Sequence, residues 1–203
     1  MNVIEIDRIS RSFRSVKKKP GIRGTFELLI HPEYQEHHAL SEVSFSIEAG
    51  AFVGLIGANG AGKTTLLKIL SGLIPATSGT ARVLGTDPFD RSLEFRRSIS
   101  LVMGQKAQLW WDLPALDAFD LIQAIYEIPK PKYQERLNLL AELLDVKRLF
   151  QTQIRRLSLG ERMKMELIGA LLHWPKVIFL DEPTIGLDVL AAHKLREIGR
   201  AHV

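Results

Sequence analysis

The chain has 203 residues, 46% of them hydrophobic and 25% charged, with a net charge of +4 and no cysteine. That composition suits one globular domain with a buried core, and it excludes disordered and collagen-like chains, a disulfide framework, thiolate zinc sites and cysteine catalysis. No apolar run approaches the roughly 18 to 20 residues that span a bilayer, and the N-terminus lacks a charged-then-apolar leader; the mild positive charge admits nucleotides, lipid headgroups or nucleic acid without choosing among them.

Val3–Ile6 alternates apolar and acidic residues and Val43–Ile47 alternates apolar residues with serine, so both read as half-buried strands near an antiparallel edge. Between them lie Lys17-Lys18-Lys19, Pro20-Gly21 and an apolar patch at Phe26, Leu28, Leu29 and Ile30. This is an inserted segment at about residues 14–38, either a solvated basic loop with a satellite helix or a surface for anionic lipid or a partner. Ala51–Ile56 and Val177–Leu180 are continuous apolar runs, expected for strands buried on both faces of a parallel sheet, and Ser100–Met103 adds another strand. Helical periodicity occupies Lys63–Ser71, Leu116–Tyr126, Lys132–Leu144 and Ser158–His173. The expected fold is a doubly wound α/β core with an inserted helical block.

Gly57-Ala58-Asn59-Gly60-Ala61-Gly62-Lys63-Thr64 fits G-x-x-x-x-G-K-[ST] between an apolar strand and an apolar-periodic helix, the context this phosphate-binding loop requires. Its glycines let successive N–H groups turn inward toward phosphate oxygens, and the following helix adds its positive dipole end. Lys63 is placed to reach the β/γ-phosphates and Thr64 to present its hydroxyl to Mg²⁺; Ala61 and Thr65 complete the cradle. Asp181 ends the Val177–Leu180 run where ligands bind in open α/β sheets and suits Mg²⁺. Glu182 is the candidate general base for an attacking water.

Leu157-Ser158-Leu159-Gly160-Glu161 opens a helix, with Ser158 and Glu161 spaced as a capping box. The same segment resembles the signature loop of the ATP-binding cassette (ABC) ATPases, Leu-Ser-Gly-Gly-Gln, with Leu159 and Glu161 in place of glycine and glutamine. The resemblance runs through almost the whole chain in order and spacing. It implies a P-loop NTPase (RecA-like) α/β core at about 1–106 and 157–196, an N-terminal antiparallel β subdomain and a helical subdomain at about 107–156, all one domain spanning 1–196. It further implies that Gln105, after Ser100–Met103, belongs to the family's glutamine loop and contacts Mg²⁺ and water, that Ser158 and Gly160 face ATP held by a second subunit, and that Asp188 in Gly186-Leu187-Asp188 crosses the dimer interface. An aromatic residue should stack on adenine; Phe13 and Tyr34 both qualify, and Phe13 is preferred.

Trp110-Trp111, shortly after Gln105, stand where such ATPases dock a coupling helix of an integral-membrane permease; paired tryptophans are otherwise plain core. The implied protein is a subunit, homodimeric or paired with another ABC ATPase, that binds and hydrolyses ATP with Mg²⁺ on the cytoplasmic face of the membrane and energises an exporter whose permease is a separate chain. The alternative is an ABC ATPase acting on nucleic acid or ribosomes through Lys17–Lys19; a kinase-like phosphate-binding domain leaves Gln105, Ser158, Gly160 and Asp188 unexplained. The family's switch histidine follows one further strand, so neither His193 nor His202 is assigned that role. Residues 197–203 lose the apolar periodicity and read as a non-native tail; with the family's final strand and switch histidine missing, this form is expected to bind ATP but hydrolyse it weakly.

Overall fold

The computed structural model describes residues 1–16, 34–104 and 108–182. These residues gather into two compact units, one of Met1–Glu48 with Gly54–Asp90 and one of Ala49–Val53 with the chain from Arg91 onward.

In the first unit, β1 (Asn2–Val16) lies between β2 (Tyr34–Glu48) and β3 (Ser78–Val83), antiparallel to both. Ile4, Ile6 and Ile9 of β1, Leu40 of β2 and Val83 of β3 are buried, so the half-buried pattern expected of Val3–Ile6 is present. Helix α1 (Lys63–Leu70) packs on β2 and β3 and buries Leu66, Leu67, Ile69 and Leu70. Removing such a side chain from water contributes roughly 1.5–3 kcal/mol each, which outweighs what an eight-residue helix can supply through propensity. Gly79, at φ +79°, is held against the Arg8 and Asp7 carbonyls where β1 is irregular, and any Cβ would collide there.

Pairing of β1 with β3 stops at Ser10↔Ser78, whereas β1 and β2 continue as a two-stranded ribbon to Val16↔Tyr34. The strands therefore reach further into the expected 14–38 insertion than alternation suggested, and the lysine run and the Phe26–Ile30 patch lie outside the described residues.

In the second unit, α2 (Leu93–Ser98) is capped by Ser92, whose hydroxyl accepts the Phe95 N–H, and leads into β4 (Ile99–Met103). Strand β4 pairs in parallel with β5 (Val177–Asp181), from Ile99↔Val177 to Met103↔Asp181. Helices α3 (Ala115–Tyr126) and α4 (Lys130–Leu144) lie within the 107–156 block, and α5 (Leu159–Leu171), which follows it, packs against both. Tyr133, Leu137, Leu140, Ala141 and Leu144 make the apolar stripe of α4, and the core they enter includes Phe119, Ile154, Met165, Leu167, Ile168 and Leu171. Phe119 meets Phe150 edge-to-face with centroids 5.5 Å apart.

One expectation is overturned. Ala51–Ile56 is not a strand and is not buried: Phe52 is 66% exposed and Ile56 99%. An apolar run becomes a buried strand only where neighbours satisfy its backbone, and among the described residues the sheets consist of β1–β3 and of β4 paired with β5.

Candidate functional site

The glycine-rich loop turns at Asn59-Gly60 and enters α1 through Gly62. Gly60 and Gly62 have φ of +82° and +90°, backbone that side-chain-bearing residues rarely adopt, and Gly62 is also closed in by the Ala39 carbonyl and Leu40 of β2. The Ala61 N–H donates to the Ala58 carbonyl at 3.2 Å. Lys63 Nζ folds back across the loop, donating to the carbonyls of Gly57 at 2.7 Å and Ala58 at 2.9 Å, which centres its charge over the turn. Gly57–Ala61 and Thr64 are exposed and Thr65 is half-buried, so the loop presents a solvent-facing cradle at the start of α1, where N–H groups and the dipole favour an anion.

The two aromatic candidates occupy opposite faces of the ribbon. Phe13 pairs with His37 and Tyr34 with Val16, three positions further along a regular ladder, so alternation sends them apart. A register shift between Arg11↔Leu40 and Ser12↔His38 places Arg11 and Phe13 on the Leu40 face, the one that closes on Gly62. Two contacts agree with this division: the Arg11 guanidinium lies 4.6 Å from the Phe13 ring centroid, and Ser12 Oγ and His38 Nδ1 share a hydrogen bond of 2.7 Å.

In the second unit, Asp181 closes β5 and Glu182 follows with φ +53°, a left-handed conformation uncommon for glutamate and of a kind that concentrates at functional sites. Gly104, one residue before Gln105, donates its N–H to the Asp181 carbonyl at 2.9 Å. A Cβ on Gly104 would stand 2.6 Å from the Glu182 carbonyl oxygen. The start of the glutamine loop and the paired carboxylates are thus joined at the backbone; Gln105, Asp188, His193 and His202 lie outside the described residues.

Ser158 caps α5 in a complete capping box: Glu161 N–H donates to Ser158 Oγ at 3.3 Å, and Glu161 Oε2 accepts from the Ser158 N–H at 3.0 Å and hydroxyl at 2.8 Å. These bonds hold the Glu161 carboxyl below its ordinary range. Ser158 and Leu159 are exposed and Gly160 is half-buried, so the signature segment forms an accessible helix N-terminus. Trp110 and Trp111 are 53% and 48% exposed, which removes the plain-core reading. They lie beside the signature: Arg155 N–H donates to the Trp111 carbonyl at 3.0 Å, and the Arg162 guanidinium sits 5.0 Å from the Trp111 ring centroid.

Sequence reasoning missed Glu166. Lying on an otherwise apolar stretch of α5, it is 5% exposed, and its Oε1 accepts the N–H groups of Gln108 at 2.9 Å and Leu109 at 3.2 Å. Burial raises its carboxyl above the ordinary carboxylate value against the pull of those two N–H donors. The available signal was a lone acid among Met163, Met165, Leu167 and Ile168, all buried.

The oxygen donors suit Mg²⁺, a hard cation usually held by one or two carboxylates together with substrate phosphates. Among the described residues no group of three or more His, Cys, Asp or Glu assembles. No described helix is long and apolar enough to cross a membrane.

A phosphate cradle at a helix N-terminus, carboxylates at a strand end and an inserted helical block define a P-loop NTPase of the ABC type, and comparison with known proteins agrees. The ABC transporter family model matches residues 40–185, and the chain belongs to that family. It is 36% identical over 166 residues to an uncharacterized ABC transporter ATP-binding protein of Synechocystis sp., covering 81% of this chain and 46% of that protein. It is 32% identical over 158 residues to the probable multidrug ABC transporter ATP-binding protein YbhF of Escherichia coli, covering 78% of this chain and 27% of that one. Among solved structures, the dimeric post-hydrolysis state of the ATP-binding cassette MJ0796, bound to ADP and Pi, shares the fold at a TM-score of 0.76 and 22% identity, covering 98% of this chain and 83% of that one. The chain spans about half the length of the first of these relatives and about a quarter of the second.

Proposed function

We propose that this chain is the ATP-binding and ATP-hydrolysing subunit of an ABC exporter, a peripheral protein on the cytoplasmic face of the membrane, paired head to tail with a second ATPase subunit. The observation that carries the reading is the Gly57–Lys63 cradle, with two left-handed glycines and an ammonium group centred over the turn at the start of α1. Backbone N–H groups of Gly60–Thr64 bind the β- and γ-phosphates, with Lys63 shifting from the loop carbonyls onto them. Thr64, Asp181 and Gln105 would hold Mg²⁺, which when bound would neutralise charge developing on the phosphates. Glu182 takes a proton from the attacking water while Asp181 serves the metal, so that the two adjacent acids hold separate roles.

Phe13, on the Leu40 face, stacks on the adenine, while Ser158 and Gly160 offer the α5 N-terminus to nucleotide bound by the partner subunit. Asp188 completes the contact across that interface. The exposed Trp110-Trp111 pair supports docking of a permease coupling helix, since such aromatic anchors carry most of an interface's energy. The name of YbhF, a probable multidrug transporter subunit, supports export, and the MJ0796 dimer supports pairing.

Titration with a fluorescent ATP analogue tests the cradle. Lys63→Ala is expected to weaken binding by about tenfold or more, equivalent to about 1.4 kcal/mol or more, because a charge-assisted contact to phosphate is lost. Equal affinity in the variant would remove the loop from the site.

A further inference from the structure

The segment joining the glutamine loop to the tryptophan pair is fastened at several points, only one of them buried. Arg155 pairs with Asp112 at 2.9 Å, but both side chains are more than half exposed, and such pairs add little. Arg162 lies over the half-exposed Trp111 ring. Glu166, one turn further along α5, is the buried fastening: a single carboxylate oxygen accepts consecutive N–H groups of Gln108 and Leu109. Its other oxygen, Oε2, is buried with no hydrogen-bond partner among the described residues. Gln108 meanwhile donates its side-chain amide to the Leu101 carbonyl of β4, so the backbone is held between β4 and α5. A carboxylate on a helix stretch whose neighbours Met163, Met165, Leu167 and Ile168 are all buried apolar residues is costly to bury, and what it provides there is this double acceptor.

We propose that Glu166 is a positioning residue that pins the Gln108–Leu109 backbone to α5, so that the exit of the glutamine loop and the Trp110-Trp111 surface travel with the signature helix as one body. The proposal rests on the functional reading above for its purpose, namely passing nucleotide-driven movement of the signature helix to the permease-docking face. The anchor itself rests on geometry alone.

The test uses acrylamide quenching of Trp110 and Trp111 in a Trp174→Phe background, since the chain has three tryptophans. Glu166→Ala is expected to raise the quenching constant about twofold or more and abolish the ATP-induced fluorescence change, as a locally released segment would. ATP affinity should stay within about twofold of wild type, because the cradle lies elsewhere in the sequence. Glu166→Gln, which keeps the acceptor oxygen, is expected to restore the wild-type signal, whereas a Glu166→Met control, which keeps the bulk without that oxygen, is expected to behave as Glu166→Ala does. Wild-type quenching in Glu166→Ala or Glu166→Met, or equal disturbance in Glu166→Ala and Glu166→Gln, overturns the proposal. If Glu166→Ala does not fold, hydrogen exchange in the unsubstituted chain decides: Gln108 and Leu109 amides protected to the level of α5 support the anchor, and exchange at loop rates overturns it. Failure of ATP to bind contradicts the functional reading while leaving the quenching comparison to judge the anchor.

Discussion

Gly104 and Glu182 are locked together through their backbones: Gly104 sits where any Cβ would come within 2.6 Å of the Glu182 carbonyl oxygen, and its N–H is bonded to the neighbouring Asp181 carbonyl. This contact fixes the spacing between the strand end that bears the acids and the start of the glutamine loop. Gly104→Ala is expected to destabilise the fold by about 1–3 kcal/mol, since backbone rather than a flexible side chain must move. It should also depress hydrolysis more than nucleotide binding. Chemical denaturation paired with phosphate release checks both, and wild-type values for the variant would show that the spacing is slack.

His173 gives the second unit an acid-sensitive joint. Its ring stacks on Tyr126 with centroids 4.0 Å apart, and the Ile99 carbonyl at 3.1 Å from Nε2 assigns the proton to that nitrogen. Burial, chiefly, pushes its pKa below the ordinary 6.5; the Ile99 carbonyl opposes the shift and Arg136 adds to it. The folded state therefore binds the proton less readily than the unfolded state. Stability from this group is present above pH 6.5 and lost as pH falls through the lowered value. The denaturant midpoint should drop between about pH 8 and about pH 5 more in wild type than in His173→Phe, which keeps the stack but cannot charge. Equal drops would show that His173 does not titrate with folding.

The opposite faces of Phe13 and Tyr34 make adenine stacking a clean choice. Phe13→Ala is expected to weaken ATP binding by the roughly 1–3 kcal/mol that base stacking on an aromatic contributes, about 5- to 150-fold. Binding of inorganic tripolyphosphate should be unchanged, and Tyr34→Ala should leave both intact. The reverse pattern would transfer the role to Tyr34.

Much of this architecture was legible in residue pattern. The helical periods predicted α1, α3, α4 and α5 to within a few residues at each end, because each carries an apolar stripe bounded by a capping residue, a proline or a left-handed terminus. The glycine motif marked its own turn, since φ of +82° at Gly60 and +90° at Gly62 favours glycine, and at Gly62 the Ala39 carbonyl leaves no room for a side chain as well. Ala51–Ile56 misled because an apolar run reports a preference for burial and not the presence of a partner strand. The outer part of the ribbon was missed for the opposite reason: Arg14–Val16 and Tyr34–His38 are mostly polar, and their pairing comes from cross-strand hydrogen bonds that continue an established ladder. Glu166 was invisible because its partners are backbone N–H groups 57 and 58 residues away in sequence.

In the proposed function the P-loop, Glu182 and the Ser158 helix terminus act together on ATP in a paired subunit. Sedimentation equilibrium of Glu182→Gln with Mg²⁺ and ATP tests this most directly, because removing the general base preserves binding while slowing hydrolysis by about 10²- to 10⁴-fold. The expected result is a dimer holding two ATP molecules that returns to monomer when Lys63→Ala is added. A Glu182→Gln protein that binds ATP and stays monomeric would contradict it.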